Sequence, residues 1–247
     1  MHNEFSQRLA VVTGCSSGIG LEVCRLLLEA GTRVVGMSRT LGELAPLQHA
    51  YPQQLHWLAG DVTQPADLQA LARYVQPLGA IDYLVPNAGI AELAEGVQPQ
   101  AFARQWAVNG DGALNTLAVL RGQLASPAAV VFIGTFLVQR SFPGLAAYIA
   151  SKAALVAYAR TLAVELAAAQ IRVNTVSPGP TATAIWGKLG LPEETLAAVA
   201  SGVNQRLLSG EFLDAAAVAE VVLFQLSRGA RGVWGQDWVV DNGFTLS

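Results

Sequence analysis

Charge is scarce in this chain. Asp, Glu, Lys and Arg make up 13% of its 247 residues, the net charge is −3, and no run of basic residues occurs. A nucleic acid needs a basic face to bind, so it is excluded as a partner. Cysteine is nearly absent: Cys15 and Cys24 make no disulfide framework, and three histidines without useful spacing make no metal site. No apolar run reaches the roughly 18 residues that suggest a membrane span. The opening residues Met1-His2-Asn3-Glu4-Phe5 carry neither the basic region nor the apolar stretch of a secretion signal. A reduced, cytoplasmic protein without a membrane segment is the expectation. Apolar residues, by contrast, make up 52%. That is enough for a substantial core, and it suggests two buried helix layers or a subunit interface.

Strand-like and helix-like segments alternate from end to end, the pattern of a parallel sheet with helices on both faces. Leu9 to Thr13 suits a strand buried on both sides. Arg33 to Met37, Leu55 to Ala59, Ile81 to Val85, Ala129 to Ile133, Ile171 to Val176 and Trp238 to Val240 read as further strands. Ile19 to Ala30 reads as a helix closed by Gly31 in a left-handed cap, and Pro65 to Val75 as a second. A long helix is expected from about Phe102 to beyond Arg121, with Gly110 and Gly112 allowing close packing. Ala146 to Ala168 and Ala215 to Leu226, the latter capped by Asp214, complete the set. Regular structure stops at Pro178-Gly179-Pro180, and about thirty residues then intervene without an assigned element. The expected fold class is α/β, a doubly wound parallel sheet of seven strands. One domain is expected over residues 1–247, with residues 180–213 as a substrate lid.

Between the first strand and the first helix stands Thr13-Gly14-Cys15-Ser16-Ser17-Gly18-Ile19-Gly20. Glycine there lets the backbone turn sharply and approach a diphosphate, whose charge suits the amides of a helix N-terminus. The T-G-x-x-x-G-x-G spacing differs from G-x-G-x-x-G. Its place between strand and helix favours a dinucleotide over a ligand-free turn. Cys15 reads as a small loop residue. An acid at the end of the second strand would bind a ribose 2′-hydroxyl and signal NAD. The chain has Ser38-Arg39-Thr40 instead. Serine can donate to a 2′-phosphate and arginine can pair with it through two nitrogens, so NADP(H) is expected over NAD(H). Asp61 and Val62, after the third strand, could contact adenine through a carboxylate and an amide; Asp61 could equally cap a turn.

Tyr148 and Lys152 stand four residues apart, one turn of a helix on the same face. A tyrosine titrates near pH ~10 in isolation. A fixed positive charge nearby favours phenolate, so Lys152 is expected to lower the Tyr148 pKa into a range useful for acid–base work.

These residues in this order resemble the short-chain dehydrogenase/reductase family in its single-domain form, over nearly the whole chain from Leu9 to Gly243. Beyond the glycine loop, Asn87-Ala88-Gly89 resembles the N-A-G sequence that lies beside the cofactor. Asn109 is similar to a helix-borne asparagine that holds a water next to the lysine, and Tyr148 and Lys152 match Y-x-x-x-K. Asn174-Thr175-Val176-Ser177-Pro178-Gly179 resembles N-x-V-x-P-G. Pro178, Gly179, Thr181 and Thr183 complete the implied cofactor set, with Thr183 at the nicotinamide end. The resemblance implies a Rossmann-type fold and hydride transfer between nicotinamide and a carbonyl or secondary alcohol. Tyr148 would be the general acid or base, Lys152 would lower its pKa and bind the nicotinamide ribose, and the water on Asn109 would relay protons.

Two departures stand out. The family usually places a serine thirteen residues before the tyrosine to hold the substrate oxygen, and here Gly134-Thr135 occupies the place. Threonine keeps the hydroxyl, but its methyl stiffens the rotamer and takes space from substrate. Thr135 is the expected donor; Ser141, six residues further along the loop, is a poor substitute. The second departure is Pro86 ahead of Asn87, tolerable at a strand end. Substrate contacts are expected from Phe136 to Gly144, from Ile90 to Glu95, and from Ile185, Trp186, Leu189 and Leu191 as an apolar lid. Arg140 is expected to face solvent. An uncharged, apolar carbonyl compound is the favoured substrate. The alternatives are a 3-oxoacyl thioester reductase and a weakly active NADPH-binding regulator. The small faces of the Tyr148 helix, Ala153, Ala154 and Ala157 among them, fit homodimers or homotetramers of the family's kind.

Overall fold

Alternate residues of β1 (Leu9–Thr13) serve two different cores. In the computed structural model, which describes residues 4–246, Ala10 and Val12 pack on one side with α1 (Gly18–Glu29) and α8 (Ala215–Leu226). Leu9 and Val11 pack on the other side with α3 (Pro65–Val75), α5 (Ala113–Leu120) and α6 (Ala146–Glu165). A strand covered on both faces has no polar side, which is why the run is continuously apolar. The remaining strands are β2 (Arg33–Ser38), β3 (Leu55–Ala59), β4 (Ile81–Pro86), β5 (Leu124–Ile133), β6 (Ile171–Pro178) and β7 (Asp237–Val240). All pairings are parallel, in the order β3-β2-β1-β4-β5-β6-β7. This is the expected Rossmann-type, doubly wound sheet. The chain direction across the sheet reverses between β1 and β4, and the crevice beyond the C-terminal ends of these strands is where such sheets bind ligands.

Gly31 closes α1 at φ +83°, as its sequence position predicts. The long helix differs from expectation. It starts earlier, as α4 (Pro99–Trp106), widens into a π-helical turn at Ala107–Gly112, and resumes as α5. The glycines in the wide turn do permit close contact. A Cβ on Gly110 would lie 2.2 Å from the Trp106 ring, and one on Gly112 would lie 2.5 Å from Val62. β5 begins five residues before the predicted start, because Pro127 reads as a break yet sits in an exposed part of the strand. The segment after β6 is not irregular throughout: it holds a 3₁₀ turn, Trp186–Leu189, and α7 (Glu193–Asn204). A short helix, α2 (Ala45–Ala50), also escaped the sequence reading. Among the described residues, no helix is long and apolar enough to cross a membrane.

Candidate active site

The C-terminal ends of β1 and β4 open into a cavity of about 470 Å³, a size ordinary for small-molecule sites. Gly14 forms its first wall at φ +69°, and a Cβ there would lie 2.7 Å from Cα of Ala88. Two backbones meet with no room for a side chain. Asn87 fastens this contact: its Nδ2 donates to the carbonyls of Thr13 and Gly14, at 3.0 Å each. The Ala88 amide donates to Thr13 Oγ1 at 3.2 Å. Gly20 is buried one step further, where a Cβ would lie 2.4 Å from the Gly14 carbonyl oxygen. Helix α1 starts without a side-chain cap and without an acid in its first turn. Gly18 and Ile19 at its start, with Ser16 and Ser17 just before it, line the cavity, so the free amides meet an open space suited to an anion.

At the end of β2 the expectation for Ser38 needs correction. Its hydroxyl is buried, donates to the Thr40 carbonyl at 2.8 Å, and accepts from Trp57 Nε1 at 2.9 Å and from the Cys15 thiol at 3.5 Å. Its one proton is therefore not offered to a phosphate. Arg39 and Thr40 are exposed and line the cavity, and Arg39 pairs with no acid among the described residues. Cys15 is fully buried, a small residue packed under the loop. Asp61 caps a turn, accepting from the Thr63 amide at 2.9 Å and hydroxyl at 2.8 Å, while it and Val62 still line the cavity.

Tyr148 and Lys152 lie on α6 and both face the cavity. Lys152 is buried, and its Nζ donates to the Ile133 carbonyl at the end of β5, 2.7 Å away. Burial lowers its pKa to about 8. Tyr148 is not lowered as expected. Burial raises its pKa above the ordinary tyrosine value, and a hydrogen bond with the Thr135 hydroxyl offsets only part of that. The reason is where the ammonium goes: Lys152 is anchored on Ile133, and removal from water dominates at the phenol.

Thr135 is buried beside the phenol, and its Oγ1 also accepts from the Leu137 amide at 3.4 Å. Ser141 is exposed and is not among the cavity-lining residues. Asn109 occupies the π-helical turn, the kind of widened turn often found at functional sites. Its Oδ1 accepts from the Ile90 amide at 2.8 Å, and its Nδ2 donates to the Ile90 carbonyl at 2.9 Å and to Ser151 Oγ at 3.0 Å. Ser151 in turn donates to the Tyr148 carbonyl at 2.7 Å. A Cβ on Gly89 would lie 3.2 Å from Asn109 Oδ1 and 3.4 Å from Lys152 Nζ, so both side chains converge on this glycine. Sequence reasoning missed Ser151. A serine inside a helix that can bond back to the i−3 carbonyl is the signal that could have found it.

Beyond β6, Gly179 permits another close approach, since a Cβ there would lie 2.5 Å from Cα of Asp241. Pro178, Thr181 and Thr183 line the same cavity, and Thr181 Oγ1 donates to the Gly179 carbonyl at 2.9 Å. Ile185, Trp186, Leu189 and Leu191 face the cavity as expected. Trp186 is also fastened to the body: its Nε1 donates to the Thr181 carbonyl at 2.8 Å, and its ring meets Phe212 edge-on at 5.1 Å. Arg140 is exposed and donates to the carbonyls of Gln139 and Thr245. The cavity also takes in Phe244, near the end of the chain, which sequence reasoning passed over.

The family model described as enoyl-(acyl carrier protein) reductase matches residues 14–245. The chain is 34% identical over 252 residues to 2-(R)-hydroxypropyl-CoM dehydrogenase of Xanthobacter autotrophicus, covering 96% of this chain and 98% of that one. It is 28% identical to carbonyl reductase (NADPH) 2 of Sus scrofa, covering 100% of both. A solved structure, the SDR:glucose/ribitol dehydrogenase of Brucella melitensis, matches it with a TM-score of 0.90 at 25% identity over 99% of each chain.

Proposed function

This chain belongs to the short-chain dehydrogenase/reductase family, whose members use nicotinamide cofactors, and from that premise we propose an NADP(H)-dependent carbonyl reductase or alcohol dehydrogenase. The observation that carries the reading is the convergence of Tyr148, Thr135 and Lys152 on a cavity whose other end is the Gly14–Ala88 cradle. The cradle, which a side chain would fill, and the uncapped start of α1 suit a diphosphate. Arg39, with Thr40 beside it, would hold a 2′-phosphate, and Ser38 serves by fixing the turn that presents them. Asp61 and Val62 would border the adenine, Lys152 the nicotinamide ribose, and Thr181 and Thr183 the nicotinamide end. The name of the Sus scrofa relative, which specifies NADPH, supports the choice of cofactor.

When bound, the nicotinamide supplies or accepts the hydride. The protein's part is to place the carbonyl and move a proton. Because burial raises the Tyr148 pKa, the phenol stays protonated through neutral pH and can donate to an alkoxide. The Thr135 hydroxyl, already at the phenol, supplies the second donor to the substrate oxygen. Asn109 has both amide hydrogens engaged by Ile90 and Ser151. Its Oδ1 accepts one bond, from the Ile90 amide, and lies near Gly89, so one lone pair is left to hold a water that would relay protons. Residues 180–213, carrying α7, would act as the lid.

The reading is tested by following NADPH absorbance with a panel of ketones, aldehydes and a 3-oxoacyl thioester, for the wild type and Arg39→Ala. A lost charge-assisted bond predicts a KM for NADPH raised about 10-fold or more, with the KM for NADH nearly unchanged. Equal changes for both cofactors would remove Arg39 from the phosphate site. Turnover of the thioester alone would favour the acyl-thioester alternative, and tight NADPH binding without any turnover would favour the regulator.

A pH dependence also follows. Lys152, with its pKa lowered to about 8, loses its charge as pH rises through that value, while Tyr148 keeps its proton to higher pH. The ratio kcat/KM for NADPH reports the free protein, so it should fall above about pH 8. A ratio that stays level to about pH 9.5 would count against a charged Lys152 in cofactor binding.

A further inference from the structure

Building on the carbonyl-reductase reading, we propose that Phe244 is a specificity-determining wall that selects substrates with an aryl group beside the carbonyl. Among the described residues, the charged side chains lining the cavity are Arg39 and Asp61 at the nucleotide end and Lys152 at the centre, and none of those described lies at the far end. There, Phe136 lines the cavity and packs in one apolar cluster with Tyr148, the residue proposed to meet the substrate oxygen. Phe244 meets Phe136 edge to face, with centroids 5.1 Å apart and planes at 81°. The two rings are only 8% and 5% exposed, and what they leave open is an apolar corner that closes the cavity and that the edge of a flat ring can contact.

Several contacts hold Phe244 and its flanking backbone in place. The Arg206 guanidinium lies 4.1 Å over the centre of its ring. The Asp241 carboxylate accepts the amides on either side of it, from Gly243 at 3.0 Å and from Thr245 at 2.8 Å. Arg140 donates to the Thr245 carbonyl. Both arginines are thus engaged with the terminal segment that carries the wall, and neither is among the cavity-lining residues where a substrate carboxylate would sit. Arg206 is a positioning residue for the ring.

The test compares NADPH-dependent reduction of acetophenone, methyl naphthyl ketone and butanone by the full chain, with calorimetric binding of methyl naphthyl ketone to the NADP⁺ complex. Phe244→Leu and Phe244→Ala should lower the aryl-to-alkyl ratio of kcat/KM by about 10-fold or more, mainly through KM, and weaken aryl ketone binding in proportion. Arg206→Met should move the ratio the same way by less, and Arg206→Lys, which keeps a cation over the ring, should restore it. Circular dichroism identifies any variant that fails to fold, and Phe244→Leu is the one expected to survive. If ketones are turned over but the ratio and the binding do not change in folded Phe244→Leu, the wall is disproved and the reductase reading stands. If no ketone is turned over but the variant binds the naphthyl ketone about 10-fold more weakly than wild type, the reductase reading fails and the wall stands. Absence of aryl ketone binding to the wild type overturns the proposal.

Discussion

Replacing Tyr148 with phenylalanine is expected to lower kcat for ketone reduction by on the order of 10³-fold, within the range of a lost general acid. NADPH binding should persist. The variant keeps the ring, which packs in the apolar cluster with Phe136, Leu145 and Phe244. It removes the hydroxyl and its bond to Thr135, worth a net of about 1 kcal/mol in stability. A large loss in turnover beside a small loss in stability is the mark of a group that works only in the reaction. The measurement is steady-state and single-turnover reduction at saturating NADPH, with fluorescence titration of the cofactor as control. Turnover within about threefold of wild type would mean that another group delivers the proton.

Gly14→Ala should abolish cofactor binding and cost much of the stability. At φ +69° an L side chain is strained by roughly 1–2 kcal/mol. The new Cβ would lie 2.7 Å from backbone Cα of Ala88, which cannot swing aside, and relieving such a contact costs about 1–3 kcal/mol. Together these imply a loss of about 2–5 kcal/mol, or a melting temperature lower by roughly 4–20 °C for a chain of this size. The loop would be displaced from Asn87 and from the free amides of α1, so the stabilisation that NADPH gives the wild type should vanish. Gly122→Ala is the control. It has ordinary φ and open space around its Cβ position, and it should melt close to wild type. A Gly14→Ala protein that keeps the wild-type melting temperature and its NADPH-induced rise would disprove the cradle.

The central strands were legible because burial on both faces leaves a continuous apolar signature, as in Leu9 to Thr13. The glycine loop was legible because its φ and its closeness to Ala88 allow few other residues. What sequence could not supply were partners distant along the chain. The π-helical turn depends on Asn109 reaching Ile90 and Ser151, 19 and 42 residues away, and nothing local in Val108 to Gly112 states its width. Ser38 looked free to meet a phosphate until the fold brought Trp57 from the neighbouring strand to its hydroxyl. The Tyr148–Lys152 spacing correctly put both groups on one cavity, but it could not reveal that the ammonium is anchored on Ile133 or that burial governs the phenol. Helix α7 was legible and was passed over, since Pro192-Glu193-Glu194 is a helix-start signal. Phe244 carries no local mark, and only the return of the chain past β7 brings it to the cavity.

Hydride transfer to a carbonyl carbon is tested most directly with an isotope. NADPH carrying deuterium at both positions of the reduced nicotinamide carbon is mixed with the protein and acetophenone, and the product is read by mass spectrometry. The prediction is phenylethanol with a single deuterium on its carbinol carbon. Alcohol without deuterium, or no alcohol from acetophenone or any other ketone of the panel, would contradict the proposed function.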